Sequence, residues 1–421
     1  MRLDSKVVFI GAQAVATLIA TVKSVFVVRI LLIEDYAVIG VVEGWIVLAG
    51  VIGSMGVDVG LTREVAAEED EEEAYGLIAA GFIGEVAAKT VAVLLLLAGS
   101  AVAGVLYEDG RVGTFLVIGT VVCLGECVVG LGLAILRARQ RYGAYLGSLL
   151  ATSVVDGVVT VSLTASLGLP GYFIARAGTL FLLSLILLAL IWRRLERLPW
   201  AELRPRLRPA WKRLWTLSAF TYATRLAAMA WRRLPIVLGA NLFGAHAIGV
   251  ATIALDISGK LQLLNQSLSP LMVPLMARRF KSDRRRFLET SMREWYRIVA
   301  LNLAAAAVMA MAWETVGPWV ITRARWEAVG ATFHAALLAM LCSNLVWVSN
   351  MCVLVPAKTT QGLAIPTIVL RLSVVPILLA LWWWRPVADA YVIPLAMLIP
   401  AGCLAFLYQR QAKRSLGRLQ V

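Results

Sequence analysis

The chain has 421 residues, of which 60% are hydrophobic and 16% charged, and its mean hydropathy is +0.80. Soluble domains average about 45–50% apolar and about 25% charged residues, so an ordinary water-soluble protein is excluded and a polytopic membrane protein is indicated. The net charge of +14 does not point to nucleic acid, because the basic residues sit mainly in alternate loops between apolar runs and no stacking or groove-reading motif accompanies them.

The first stretch, from Ser5 to Glu73, sets the pattern. A long apolar run carries Lys23 and Arg29, an acidic turn follows at Ile33, Glu34, Asp35 and Tyr36, and a second apolar run carries Glu43. Each charge near the middle of a membrane helix costs about 2.5–3.5 kcal/mol on insertion scales, so these need partners or a function. Lys23 lies about ten residues before the turn and Glu43 about ten after it; at ~1.5 Å per residue both sit ~15 Å from the turn, near the middle of a ~30 Å core. The two are expected to meet. No cleavable leader is expected, because the first apolar run is long, charged and continued by further spans.

About twelve spans are long enough to cross a bilayer, at 7–32, 37–57, 82–106, 113–135, 144–167, 171–192, 215–240, 246–274, 295–317, 328–355, 362–384 and 388–408. Basic residues fill one set of loops: Arg2 and Lys6, Arg137 to Arg141, Arg193 to Arg213, Arg278 to Arg286, and Arg410 to Arg418. The opposite turns hold few: Arg111, Arg323, Arg325 and Arg385. This asymmetry predicts a multi-pass protein of the cytoplasmic membrane with both termini in the cytoplasm. The acidic run Glu68–Glu73 reads as a solvated helix start or connector.

The connection at 193–213 is the expected domain boundary. Pro199, Pro205 and Pro209 argue against one continuous helix there, and Trp192, Trp200, Trp211 and Trp215 among arginines predict a segment lying on anionic membrane lipids. The expected parts are an N-terminal six-helix bundle (1–198), a basic linker (199–213) and a C-terminal six-helix bundle (214–421). The fold class is therefore an all-α polytopic membrane protein, with about twelve transmembrane helices in two pseudo-symmetric six-helix bundles around a central cavity. The halves align weakly, Arg29–Ala37 against Asn241–Gly249, at an offset of about 212 residues. In the second half Arg232 and Asp256 stand about twelve residues either side of the turn, repeating the Lys23 and Glu43 arrangement. Repeats with polar groups near the midplane are a pattern of secondary transporters.

Three stretches carry a family resemblance: Arg29 to Tyr36 ending in Glu-Asp-Tyr, the run Arg232–Gly239 followed by a Phe-Gly turn, and the basic loop Leu136–Tyr142 after the fourth span. Together with the span count they resemble the polysaccharide exporters of the multidrug/oligosaccharidyl-lipid/polysaccharide superfamily. Leu32-Ile33 stands where that family usually has Gly-Pro, and Arg232 where it often has an acid, which leaves substrate and coupling open. The resemblance implies a flippase that moves a lipid-linked oligosaccharide to the outer leaflet by alternating access. No phosphate-gripping glycine loop or ATPase motif is present, so the expected drive is an ion gradient, of H+ or Na+, or substrate flux, and no enzyme is expected. A cation-coupled multidrug exporter of the same superfamily is the alternative, followed by a membrane glycosyltransferase or polymerase; short outer turns without an acid–base pair speak against the enzyme.

Candidate substrate-facing cations are Lys23, Arg29, Arg225, Arg232 and Arg233. Arg225 and Arg232 are seven residues apart and fall on one helical stripe, and arginine's planar fork fits phosphate oxygens. Arg176 and Arg371 rank behind them. Candidate counter-ions or coupling groups are Glu43, Glu126, Asp156 and Asp256; Glu126 and Asp156 have no partner nearby in sequence. Glu85 with Lys89 and Asp256 with Lys260 are i,i+4 pairs that neutralise locally. The five cysteines (Cys123, Cys127, Cys342, Cys352, Cys403) lie in apolar runs, and His246 and His334 lack metal-ligand spacing, so neither disulfides nor a metal site is expected. No catalytic residue, cofactor motif or nucleic-acid partner is expected.

Overall fold

The computed structural model describes residues 3–420 apart from 58–59, 62–63, 66–67, 69, 108, 140, 196–199, 356–360 and 385–388. The parts of the loop reading that fall on Arg2, Arg197, Pro199 and Arg385 lie outside the described residues. The described residues form helices and no strand. In lipid a backbone must satisfy its own hydrogen bonds, and a helix does so within each segment. In chain order the helices are α1 (Leu3–Ile30), α2 (Ile33–Ser54), α3 (Glu71–Leu106), α4 (Arg111–Ala138), α5 (Tyr142–Leu167), α6 (Leu169–Leu195) and α7 (Trp200–Gly239). They continue as α8 (Ala245–Gly259), α9 (Leu261–Ser282), α10 (Arg284–Thr315), α11 (Arg323–Ser349), α12 (Ala364–Leu372), α13 (Val374–Trp384) and α14 (Asp389–Gln420).

Among the described residues, 11 helical segments are long and apolar enough to cross a membrane. Their outward faces carry exposed Leu18, Val105, Val158, Ile365 and Phe406, which lipid covers without penalty. α2 is the contrast, with 83% of its apolar window buried inside the protein. Gly40 and Gly44 are buried there, as a close-packing face requires.

The expected break at 199–213 does not occur where Pro205 and Pro209 stand. α7 runs unbroken from Trp200 through both prolines to Gly239, so the linker and the seventh span are one helix of 40 residues. Each proline forfeits one backbone hydrogen bond, but both occupy exposed positions near the helix start. The opposite face is held firmly: Ala210 and Leu214 are buried with Leu61, Leu77, Cys127 and Leu131, and Leu207 and Trp211 pack against them. Two salt-bridge sets tie the same turns to the acidic run. Arg206 reaches Glu72 at 2.5 Å and Glu73 at 4.0 Å, and Arg213 binds Glu64 and, at 2.7 Å, Glu68. The solvated helix start at Glu68–Glu73 is also present, with Asp70 capping α3 by accepting from Glu72 N at 2.9 Å. The seventh expected span is not among the 11 apolar segments; Arg225, Arg232 and Arg233 dilute that part of α7.

Three other expected spans run as continuous apolar segments with a local irregularity: a one-residue break at Lys260 within Ala245–Asn265, a π turn at Asn350–Leu354 closing Arg323–Leu354, and a one-residue break at Ser373 within Ala364–Trp384. The last break has a direct cause: Pro376 has no N–H to give Leu372.

The chain forms two compact units, one of Met1–Ala37 with Leu234–Val421 and one of Val38–Arg233. These boundaries differ from the expected 1–198 and 214–421. In the first unit α1 packs on α8 and α9, and α11 is the centre, packed on α14, α8 and α10. In the second, α4 is flanked by α3 and α6, and α6 packs on α5.

Candidate functional site

Among the described residues, each unit holds a cluster of charge within its spans. In the second unit the centre is Arg176, in the second turn of α6. One guanidinium nitrogen donates to Glu43 Oε1 on α2, and the other donates to Glu126 Oε1 on α4 at 2.9 Å. Tyr172, one turn earlier on α6, donates its hydroxyl to the same Glu43 oxygen at 2.6 Å. A planar fork bridging two carboxylates is a geometry arginine provides and lysine does not.

The cluster extends further. The place a Cβ would take on Gly50 lies 3.4 Å from Lys89 Nζ and 3.8 Å from Glu126 Oε2, so these two side chains share the space that Gly50 leaves open. Lys89 and Glu85 are each 3% exposed. Arg233, at the end of this unit, lies in electrostatic range of Glu43, and its Nε is buried without a hydrogen-bond partner. Burying any of these ions alone costs several kcal/mol, and a shared network offsets that cost.

In the first unit the cluster centres on Asp256 of α8. Lys260 Nζ donates to Asp256 Oδ1 at 3.2 Å. Ser24 of α1 hydrogen-bonds to the same carboxylate, and Lys23 lies in electrostatic range. Two ammonium groups thus lie within electrostatic range of one carboxylate.

Within its own unit Glu43 is held by Arg176 and Tyr172, and Asp256 by Lys260 and Ser24 with Lys23 in electrostatic range. Glu126 pairs with Arg176, and Asp156 accepts from Thr160 Oγ1 at 3.2 Å, so neither is the isolated carboxyl that sequence spacing indicated. The i,i+4 pairing of Asp256 with Lys260 is present. Arg225 and Arg232 are half-buried on α7, and neither lacks partners. Arg29 is exposed in the last turn of α1, where a cation favours the helix dipole. Arg176 was undervalued and Tyr172 was missed. The available signal was that Arg176 is the lone ionisable charge in 171–192; an isolated arginine at membrane depth marks a site by default.

Among the described residues no group of His, Cys, Asp and Glu has metal-binding geometry. Five cysteines are free. Trp383 and Trp384 are 84% and 81% exposed, as an interfacial belt would be, while Trp382 donates to Leu242 O at 3.1 Å.

The fold is that of multidrug/oligosaccharidyl-lipid/polysaccharide superfamily transporters. An inward-facing multidrug-resistance MATE transporter of that superfamily aligns with a TM-score of 0.71 at 13% identity, covering 96% of this chain and 95% of its own. Lipid II flippase MurJ in an inward closed conformation aligns with a TM-score of 0.72 at 12% identity, covering 98% and 91%. The eukaryotic MATE transporter AtDTX14 aligns with a TM-score of 0.67 at 13% identity, covering 99% and 98%. No curated protein matches the chain by sequence. The model of the polysaccharide biosynthesis protein family matches residues 26–329, and the chain belongs to that family. It is a multi-pass membrane protein.

Proposed function

We propose that this protein moves a lipid-linked oligosaccharide from the cytoplasmic to the outer leaflet of the cytoplasmic membrane by alternating access, with both termini in the cytoplasm. The observation that carries the reading is that a polysaccharide biosynthesis protein holds half-buried cations in its spans: Arg225, Arg232 and Arg233 on α7, and Lys23 beside Asp256. A polyprenyl diphosphate is the anionic part of such a substrate, and charge-assisted bonds from arginine are among the stronger ones available to hold it. Arg29, outermost on α1, serves approach to the site. The two six-helix repeats supply the two access states.

The test is transport of a labelled polyprenyl-diphosphate oligosaccharide in liposomes. Arg225→Ala and Arg232→Ala should each lower the rate at least about tenfold, the factor set by about 1.4 kcal/mol, less than one charge-assisted hydrogen bond contributes. Rates equal to wild type in both variants would refute the cationic site.

The second-unit cluster supports ion coupling. Glu43 and Glu126 share one guanidinium, so uptake of H+ or Na+ by either changes what Arg176 holds. Glu126→Gln should make transport insensitive to an imposed ion gradient while leaving the protein folded; a gradient response like that of wild type removes Glu126 from the coupling. The same fold in MATE transporters supports a cation-coupled multidrug exporter as second reading. That reading requires export of cationic compounds, and the number of arginines within the spans disfavours it.

A further inference from the structure

The first turns of α7 sort their cations by face. At ~100° per residue, Arg204, Arg208 and Lys212 fall within ~80° of one another, while Arg206 and Arg213 lie ~140–160° round the helix from Arg208. The rotation of α7 is held on its other sides. Arg206 and Arg213 bind Glu72, Glu64 and Glu68. Leu214 is 0% exposed, and Trp211 fills the gap that Gly84 of α3 leaves, where a Cβ would stand 1.9 Å from Trp211 Cζ3. With α7 fixed in this way, Arg204, Arg208 and Lys212 are all exposed. Trp215 falls between Arg204 and Arg208 in angle and stacks on Trp211, with ring centroids 6.4 Å apart and planes at 12°. Tryptophan collects at the membrane–water interface, so this pair marks where α7 leaves the hydrocarbon. At ~1.5 Å per residue Lys212 stands ~4.5 Å further out, Arg208 ~10.5 Å and Arg204 ~16.5 Å. The head-group layer on one side of a bilayer is ~5–7 Å deep, so Lys212 stands inside it and the two arginines beyond it.

We propose that Lys212, Arg208 and Arg204, standing above Trp215, form a binding site for the anionic head groups of phospholipids in the leaflet at this end of α7. The site is separate from the transported substrate and does not depend on what is transported. The 40 residues from Trp200 to Gly239 form one helix, so the basic turns continue the seventh span and meet the leaflet end-on. A segment lying flat on the bilayer engages its cations equally. An end-on helix engages them by distance, because attraction to a charged surface decays over a Debye length of ~8 Å at physiological salt. One cation at the surface of an anionic leaflet contributes about fivefold in binding. Arg208 and Arg204 lie ~6 Å and ~12 Å beyond Lys212. The three contributions are therefore about fivefold for Lys212, about twofold for Arg208 and about 1.5-fold for Arg204. Phosphate oxygens suit the site, since both ammonium and guanidinium groups give them charge-assisted hydrogen bonds. Arg206 and Arg213, turned to carboxylates on the far side of the helix, are outside it.

The test is native mass spectrometry of the full chain with phosphatidylglycerol or phosphatidylcholine added, reading the dissociation constant of the first lipid bound. The preference for phosphatidylglycerol should fall about fivefold in Lys212→Gln, about twofold in Arg208→Gln, about 1.5-fold in Arg204→Gln and about fifteenfold in the triple variant. A triple variant with the wild-type preference overturns the site, and equal losses in the three single variants overturn the end-on arrangement. Arg284→Gln with Arg285→Gln and Arg286→Gln removes the same charge from exposed positions on α10 and should leave the preference unchanged; a matching fifteenfold loss there makes it an effect of net charge and overturns the site. Arg204→Lys with Arg208→Lys keeps the charge and should keep the preference, and a loss like that of the triple variant overturns the electrostatic basis. Inorganic diphosphate at equal concentration should leave the first phosphatidylglycerol in place; its displacement makes this a site for soluble anions and overturns the lipid assignment. The denaturation midpoint is a second readout: phosphatidylglycerol should raise it in wild type and not in the triple variant, and an equal rise in both overturns the site. Both measurements are made without the transported substrate, so a failure to flip lipid-linked oligosaccharide leaves this site standing and counts only against the transport reading.

Discussion

Arg176→Gln is expected to cost about 3 kcal/mol, the lower end of what breaking a buried ion pair costs, because the Arg176 side chain keeps 22% of its exposure. The variant leaves Glu43, 8% exposed, facing Glu126 with no guanidinium between them. Tyr172 supplies Glu43 with one hydrogen bond but no charge. The check is thermal denaturation of purified protein in detergent, where the midpoint should fall by several degrees and the yield of folded protein should drop. Glu43→Gln combined with Arg176→Gln should recover much of the loss, because it removes the stranded carboxylate along with its partner. A single variant as stable as wild type, or a double no better than the single, would mean that the network does not hold α2, α4 and α6 together.

Asn302→Ala should be comparably damaging in the first unit. Asn302, Asn265 and Asn344 sit on α10, α9 and α11, at 0%, 1% and 0% exposure. Asn302 donates to Asn265 Oδ1 at 3.1 Å and to Ile298 O at 2.9 Å, and accepts from Asn344 at 2.9 Å. Asn265 in turn donates to Asn344 O at 3.2 Å. Removing the central amide takes from Asn265 the donor it has there and leaves a cavity among three helices. A buried group stranded this way costs about 1–3 kcal/mol, and the lost volume adds to it, so about 2–4 kcal/mol is expected. Asn302→Asp keeps the acceptor and the shape but brings a charge, and should be no milder. Denaturation midpoints read both; an alanine variant within about 0.5 kcal/mol of wild type would show that the triangle contributes little.

The residues divide clearly between what hydropathy reveals and what it conceals. The apolar runs fixed the membrane class and nearly every span, because insertion depends on the local sum of side-chain transfer energies. The Glu-Asp-Tyr turn, the acidic start of α3 and the Asp256–Lys260 pair were equally readable, since each is set by residues within four positions of one another. The proline argument at Pro205 and Pro209 failed because intrinsic propensity is weak against a face packed with Leu207, Ala210, Trp211 and Leu214.

By itself, then, the sequence determined that the chain lives in a bilayer as a bundle of helices, because insertion depends on sums taken along each segment. Which acid meets which base was decided only by the tertiary structure. Arg176 finds Glu43 across 133 residues and Glu126 across 50, and such partners depend on how each helix is rotated and which neighbours it has. Two charges at one level of a bundle pair only if they also face each other, and the direction a side chain faces is fixed by packing.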